Sequence, residues 1–311
     1  MAPQRRKDER AAQKEVRVLL EMSSEHPSSQ PRDMSTSIPE IDAGNFASAR
    51  WVLCPPSAIK VVCWNINRGL QLERIIDFLG RSKADILLLQ EADLNARRTH
   101  HLHIAREIAQ RLQLNYVFGR EFQELTQGTR QSPAYHGQAT LSPWPLSNAR
   151  ILRFQQQSGF WRPHWFLPEM EPFQERLGGR IALVADANVG GKAIATYNLH
   201  LESRGDDRLR AAQLEETLQD ARRYGKDTPI VLAGDLNMDV SAGNVAQMIE
   251  RAGFQDAFRS QHVPTTPDSL FAEGRVIDWV FARALRSSSA QIHGSVSGSD
   301  HYPLSVRMDF C

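Results

Sequence analysis

Polar, ionisable residues recur in this chain immediately behind short apolar runs. VVCWNIN ends in Asn65 and Asn67, ILLLQE in Glu91, ATYNLHLE carries His200, and IVLAGDLNMD carries Asp235 and Asn237. RVIDWVF holds Asp278 inside an apolar run, and GSDHYPL sets Asp300 and His301 just before the last one. A solitary Asp or Asn at such a place is ordinarily a cap or turn residue. Gathered on one rim, these carboxylates, amides and imidazoles could hold a hard cation and move a proton. Glu91, with Asn65 and water, offers oxygen donors suited to Mg²⁺ or Mn²⁺ rather than Zn²⁺. No zinc-type spacing of Cys and His is present. His100, His101 and His103 lack the i,i+4 pairing of a helical metal site. Asp235 and Asn237, two residues apart, are expected on one face of a strand end.

The elements that would deliver these groups alternate in type. AIKVVCWNI and ADILLLQE read as buried strands on either side of LERIIDFLGRS, whose Leu72, Ile75, Ile76 and Leu79 have helical spacing. HLHIAREIAQRLQL is an amphipathic helix with Leu102, Ala105, Ile108, Ala109 and Leu112 inward. NYVFG, GQATLSP and ARILRF read as successive short strands. RIALVADANV and KAIATYNLHLE, joined by Gly190-Gly191, read as a hairpin. DDRLRAAQLEETLQDARRYG and GNVAQMIERAG read as helices, and PIVLAGDLN, RVIDWVFA and YPLSVRMDF as the remaining strands. Adjacent strands and a tight hairpin rule against pure βαβ winding. Mixed sheets packed on each other with helices outside fit this order, an α+β architecture.

Composition sets the frame. Among 311 residues, 37 Lys+Arg against 36 Asp+Glu give a formal net charge of +1, which argues against holding nucleic acid by bulk charge. Cys54, Cys63 and Cys311 are too few and too scattered for a disulfide framework, and a reducing, cytoplasmic setting is expected. VRVLL is too short for a signal-peptide core, and no run has the length of a membrane span. Residues 1–57, rich in charge, Ser and Pro, read as a mostly disordered tail with a short helix around Ala11–Met22; residues 58–311 read as one globular domain, expected to be monomeric.

In this order, WNIN, QE, YHGQATLSP, NLHLES, GDLNMD, IDWVF and SDHYPL resemble the endonuclease/exonuclease/phosphatase superfamily, from about Ala58 to Phe310. The resemblance implies a DNase-I-like fold, a two-layer β-sandwich flanked by helices in a four-layer αββα arrangement. It implies a divalent-metal-dependent phosphoesterase, foremost a phosphodiesterase or nuclease, in which water displaces the leaving group in line. Carried over, Glu91 is the carboxylate ligand of Mg²⁺, with Mn²⁺ as substitute, assisted by Asn65, and Asp300 lies at the metal or its water. Asp235, aligned by Asn237, activates the water; His301, supported by Asp278, donates to a phosphate oxygen; His200 is a second phosphate contact.

Asn67, Tyr135 and Arg162 are assigned to substrate binding. Asn67 stands where abasic-site endonucleases and the tyrosyl-DNA phosphodiesterase branch have Asp, so one carboxylate is missing beside the metal. Arg210 and Gln213 are read as ties between a helix and a strand end. FWRPHWFLPEMEPF, from Phe160, is either a substrate wall able to stack a base or a cover over the sandwich. The favoured substrate is nucleic acid. The alternatives are a phosphatase or sphingomyelinase-like enzyme on small or lipid phosphoesters, and a non-catalytic binding module of the same fold.

Overall fold

In the computed structural model the described residues are 40–48, 56–164, 166–168, 170, 174–259, 263–269 and 273–311. The helix expected around Ala11–Met22, Cys54 and parts of the Phe160–Phe173 loop lie outside them.

The first half of the chain supplies β1 (Ile41–Asn45), β2 (Ala58–Arg68), α1 (Leu72–Ser82), β3 (Ile86–Leu94), α2 (Ile104–Leu112), β4 (Asn115–Glu124), β5 (Ala134–Ser142) and β6 (Leu146–Arg153). The second half supplies β7 (Arg176–Gly178), β8 (Ile181–Val189), β9 (Lys192–His200), α3 (Asp207–Asp220), β10 (Ile230–Asp235) and α4 (Gly243–Arg251). It closes with β11 (Gln255–Asp256), β12 (Asp278–Arg283), β13 (Leu285–Ile292) and β14 (Leu304–Phe310). One sheet runs β1-β4-β5-β3-β2-β14-β13, with β7 on the edge of β4; the other runs β11-β12-β10-β9-β8-β6.

Three apolar cores separate four layers. Ile75, Phe78 and Leu79 of α1 and Ile104, Ala105 and Ile108 of α2 pack on the outer face of the first sheet, over Val62, Trp64, Leu87 and Leu89. Leu214 and Leu218 of α3 and Ile249 of α4 pack on the outer face of the second, over Tyr197, Leu199, Ile230 and Leu232. Between the sheets lie Ile59, Val61, Cys63, Ile86, Leu88, Val231, Ala233, Val280, Leu304 and Val306. The helix–sheet–sheet–helix order is the one the resemblance implies.

The interior between the sheets changes character along its length. Inward positions recur every second residue, so each strand can be followed from apolar to polar. On β2 the series is Ile59, Val61, Cys63, Asn65; on β10 it is Val231, Ala233, Asp235. Midway sits a layer of buried amides. Gln90 Nε2 donates to Asn198 Oδ1 across the sheets (2.7 Å), and Asn198 Nδ2 donates to Leu89 O (3.0 Å) and Ala139 O (2.9 Å). Gln138 bonds both Ile181 O and Leu183 N of β8. Beyond the amides the same strands end in His136, His200, Asp235 and Asp278, all buried.

The β8–β9 hairpin forms as expected. Val189 pairs with Lys192, and Gly190 (φ 60°) and Gly191 (φ 90°) make a two-residue turn that needs positive φ at both places. The tail boundary needs correction. Ile41–Asn45, inside the segment read as disordered, is strand β1, antiparallel to β4, and the compact unit begins at Glu40. IDAGN carries only two apolar side chains, Ile41 and Ala43, too short a pattern to announce a strand, which forms on backbone pairing with an existing edge. Asp42 pins it by accepting from Tyr116 Oη (2.6 Å) and pairing with His103 Nε2 (2.7 Å) and Arg106 Nη2 (3.2 Å). Strands β7, β11 and β13 also escape the sequence reading; LRSSSAQI is a largely polar edge strand. Among the described residues no helix is long and apolar enough to cross a membrane.

Candidate active site

The row His200, Asp235, Asp278 is set by pairing. Parallel β9–β10 register places His200 beside Asp235, and antiparallel β10–β12 register places Asp278 on its other side. The first sheet brings the opposite wall: Asn65 at the end of β2, Glu91 in β3 and His301 in the turn before β14. That turn is stapled to β2, because Trp64 Nε1 donates to His301 O (2.9 Å) and Ser299 Oγ to Asn65 O (2.6 Å).

Two clusters result, each with ligand-type atoms within 4.8 Å of one another: Asp235–Asp278–His301 and Glu91–His136–His200. In the first, His301 Nδ1 lies 2.8 Å from Asp278 Oδ2, which also accepts from Thr265 Oγ1 (2.7 Å). His301 Nε2 then faces Asp235 Oδ2 at 3.7 Å. Burial alone would lower the imidazole's pKa, but the Asp278 and Asp235 carboxylates outweigh it and push it up to about 10. Burial raises the Asp235 carboxyl to about 6, against the pull of His301 and with the charge of Asp278 adding to it. One group is therefore a standing cation and its neighbour a carboxylate that titrates near neutrality.

In the second cluster, β3 bulges: its pairing shifts between Leu89 and Ala92 against β5, and Glu91 sits at φ 57°. A left-handed Glu is uncommon and strained, and the bulge re-aims its side chain. Burial would raise the Glu91 carboxyl, yet His136, His200, Arg68 and Arg180 hold it well below the usual carboxylate range. His200 Nε2 lies 4.0 Å from Glu91 Oε1 and 3.6 Å from Asp235 Oδ2. Burial and the nearby Arg180 keep that imidazole well below its ordinary value, hence neutral. A carboxylate kept ionised beside two imidazoles fits a divalent metal.

The sequence profile described as the Endonuclease/Exonuclease/phosphatase family matches residues 62–301. The chain belongs to this family. Solved structures agree on the fold. A family member from Beutenbergia cavernae superposes with a TM-score of 0.61 at 17% identity, covering 82% of this chain and 72% of that one. The human Nocturnin catalytic domain gives 0.58 at 18% identity, covering 87% and 98%. A humanised D. rerio TDP2 gives 0.56 at 16%, covering 82% and 100%. No curated protein sequence matches.

For this endonuclease/exonuclease/phosphatase chain the expected residues divide. Glu91, His200, Asp235, Asp278 and His301 meet at the rim. Asn65 joins them, but its amide is engaged by Asp235, to which Nδ2 donates (3.1 Å), and by the Asn67 N–H. Asn237 is not on the strand face expected from two-residue spacing: β10 ends at Asp235, and Asn237 (φ 52°) lies in the turn beyond. There its N–H donates to Asp235 Oδ1 (2.9 Å) and its Nδ2 to Leu201 O (3.1 Å). Asn67 (φ 43°) accepts from Arg68 Nη1 (2.8 Å). Asp300 is exposed, accepts from Ser299 Oγ, and stands outside both clusters. Tyr135 stacks under Arg120, 4.3 Å from its ring centroid, and Arg162 is exposed.

Gln213 accepts from Glu202 N (3.0 Å) and Arg210 Nε donates to Glu202 O (2.7 Å), the helix-to-strand ties expected of them. In the aromatic loop, Trp161 is buried and donates to Glu202 Oε1 (3.1 Å), while Phe160 and Phe166 are exposed. Sequence reasoning missed His136, Glu121, Arg180, Arg68 and Thr265. Only His136 had a signal, since YHGQATLSP alternates from Gln138 back to it.

Proposed function

We propose that the protein is a divalent-metal-dependent phosphodiesterase that hydrolyses its substrate by in-line attack of water. The observation that carries this is the triad in which Asp278 holds His301, whose Nε2 faces the buried Asp235 carboxylate at 3.7 Å. Asp235 takes the proton of the attacking water, its raised pKa suiting a base near neutral pH. Asn237 N–H fixes the other carboxylate oxygen, leaving Oδ2 toward the imidazoles. His301, cationic, donates to a phosphate oxygen on which charge develops. Neutral His200 contributes a second hydrogen bond to the phosphate. Glu91 is the carboxylate for the divalent ion; bound, such an ion neutralises a non-bridging oxygen and stabilises the leaving group, and carboxylate oxygen accepts Mg²⁺ and Mn²⁺ alike.

A nucleic acid strand is the favoured substrate. Exposed Phe160 packs edge-on against Trp161 (ring centroids 4.7 Å apart), which is anchored on Glu202 two residues past His200, a surface on which a base could stack. Hydrolysis of bis-p-nitrophenyl phosphate with a divalent ion, compared with Asp235→Asn, tests the mechanism: a loss of about 100-fold or more is expected, and equal rates refute it. Single- and double-stranded DNA, RNA and phospholipid substrates then test the substrate class.

A further inference from the structure

His136 has an unusual place in the rim. It is fully buried, its Nδ1 lies 3.4 Å from Asp93 Oδ1, and its Nε2 has no hydrogen-bond partner among the described residues. Asp93 and His136 are direct cross-strand partners in the β3–β5 pairing. Asp93 is itself fixed by Arg98, whose Nε and Nη2 each donate at 2.8 Å. An imidazole with one nitrogen on an anchored carboxylate and the other unpartnered is how metal-binding histidines are oriented. As a purely structural residue it would leave a buried polar atom unsatisfied, at a cost of about 1–3 kcal/mol. His200 repeats the pattern more loosely, with Nδ1 3.7 Å from Glu121 Oε2 and Nε2 4.0 Å from Glu91 Oε1. Ligand-type atoms of Glu91, His136 and His200 fall within 4.8 Å of one another.

We propose that Glu91, His136 and His200 form a mixed carboxylate–imidazole centre that selects an imidazole-preferring first-row transition dication over Mg²⁺. Mg²⁺ favours oxygen donors and retained water, whereas Mn²⁺, Co²⁺ and Zn²⁺ accept imidazole nitrogen. The two histidines come from separate strands, which is why no local spacing announces the centre. The inference rests on Glu91 being the metal carboxylate, as in the proposed function; it gives His200 Nε2 to the metal instead of the phosphate, and is independent of whether hydrolysis follows.

The test is metal binding by the full chain, stripped with chelator and titrated without substrate. Co²⁺ is expected to bind at least about 100-fold more tightly than Mg²⁺. His136→Asn and Asp93→Asn should each weaken Co²⁺ by roughly 10–100-fold while changing Mg²⁺ affinity by less than about threefold. Pulsed EPR of the Mn²⁺-loaded wild type should show modulation from directly coordinated imidazole ¹⁴N, a readout that needs no variant to fold. Absence of that modulation, failure of Mn²⁺ to bind, or equal Co²⁺ affinity in wild type and folded His136→Asn overturns the proposal. Nitrogen ligation without hydrolysis would instead refute the proposed function alone; Mg²⁺-driven hydrolysis without nitrogen ligation would refute only this inference.

Discussion

Replacing Asp278 by Asn should move the alkaline limb of the pH–rate profile. The side chain keeps its shape but loses the charge that sits 2.8 Å from His301 Nδ1. Charge-assisted hydrogen bonds of this kind contribute about 1.5–3 kcal/mol, which at about 1.4 kcal/mol per pKa unit brings His301 from about 10 to roughly 8–9. It does not fall to the free value, because Asp235 Oδ2 remains 3.7 Å from Nε2. The wild-type profile should rise through about pH 6 as Asp235 loses its proton and fall through about pH 10 as His301 loses its own. Measured as kcat/KM on bis-p-nitrophenyl phosphate, the variant's deficit should be roughly tenfold larger at about pH 9.5 than at about pH 7.5, where His301 is still cationic in both proteins. A deficit constant across that interval would show that the charge of Asp278 does not set that of His301.

Asp235→Asn should raise stability while destroying activity. The folded carboxyl titrates near 6, above the 3.8 of a free Asp, so burial of its charge disfavours the folded state at pH above 6, and that cost fades as pH falls toward 4. The gain in urea-unfolding free energy should be about 1–3 kcal/mol near pH 8 and vanish below about pH 4. Asn198→Leu should destabilise by roughly 2–4 kcal/mol in the same assay, since Gln90 Nε2, Leu89 O and Ala139 O all lose a buried partner. Asp42→Ala should cost about 1–3 kcal/mol and speed amide exchange in Ile41–Asn45, because three groups that pin β1 are released together.

The parts of this molecule visible in the sequence are those in which local pattern and tertiary need coincide. Apolar runs such as Ile230–Ala233 are inner strands, and the polar residue after each marks the rim, so Glu91, His200, Asp235, Asp278 and His301 could be picked out one strand at a time. The four-layer fold followed from the resemblance and from the order of elements. What stayed hidden depends on pairing across the chain. β1 is a strand only because β4 offers an edge, and Asn237 reaches Asp235 through a turn rather than strand alternation. Glu121 and Arg180 sit in a buried ion pair at 2.8 Å whose members are far apart in sequence. Thr265 has an ordinary loop context and acquires its importance only from the Asp278 oxygen above it.

The amides buried midway along the sandwich bear on misassembly. Alternation by itself guards a strand against slipping by one residue, which would turn its apolar face to water. A slip by two keeps every inward residue inward and passes that guard. Here it would set Asn198 beside Val231 instead of Ala233 and bring His200 opposite Gln90. Each stranded donor or acceptor would then cost about 1–3 kcal/mol. Gln90 and Asn198 thus penalise an offset by one repeat that apolar alternation alone would tolerate, and favour the alignment that sets the ionisable groups together at one end.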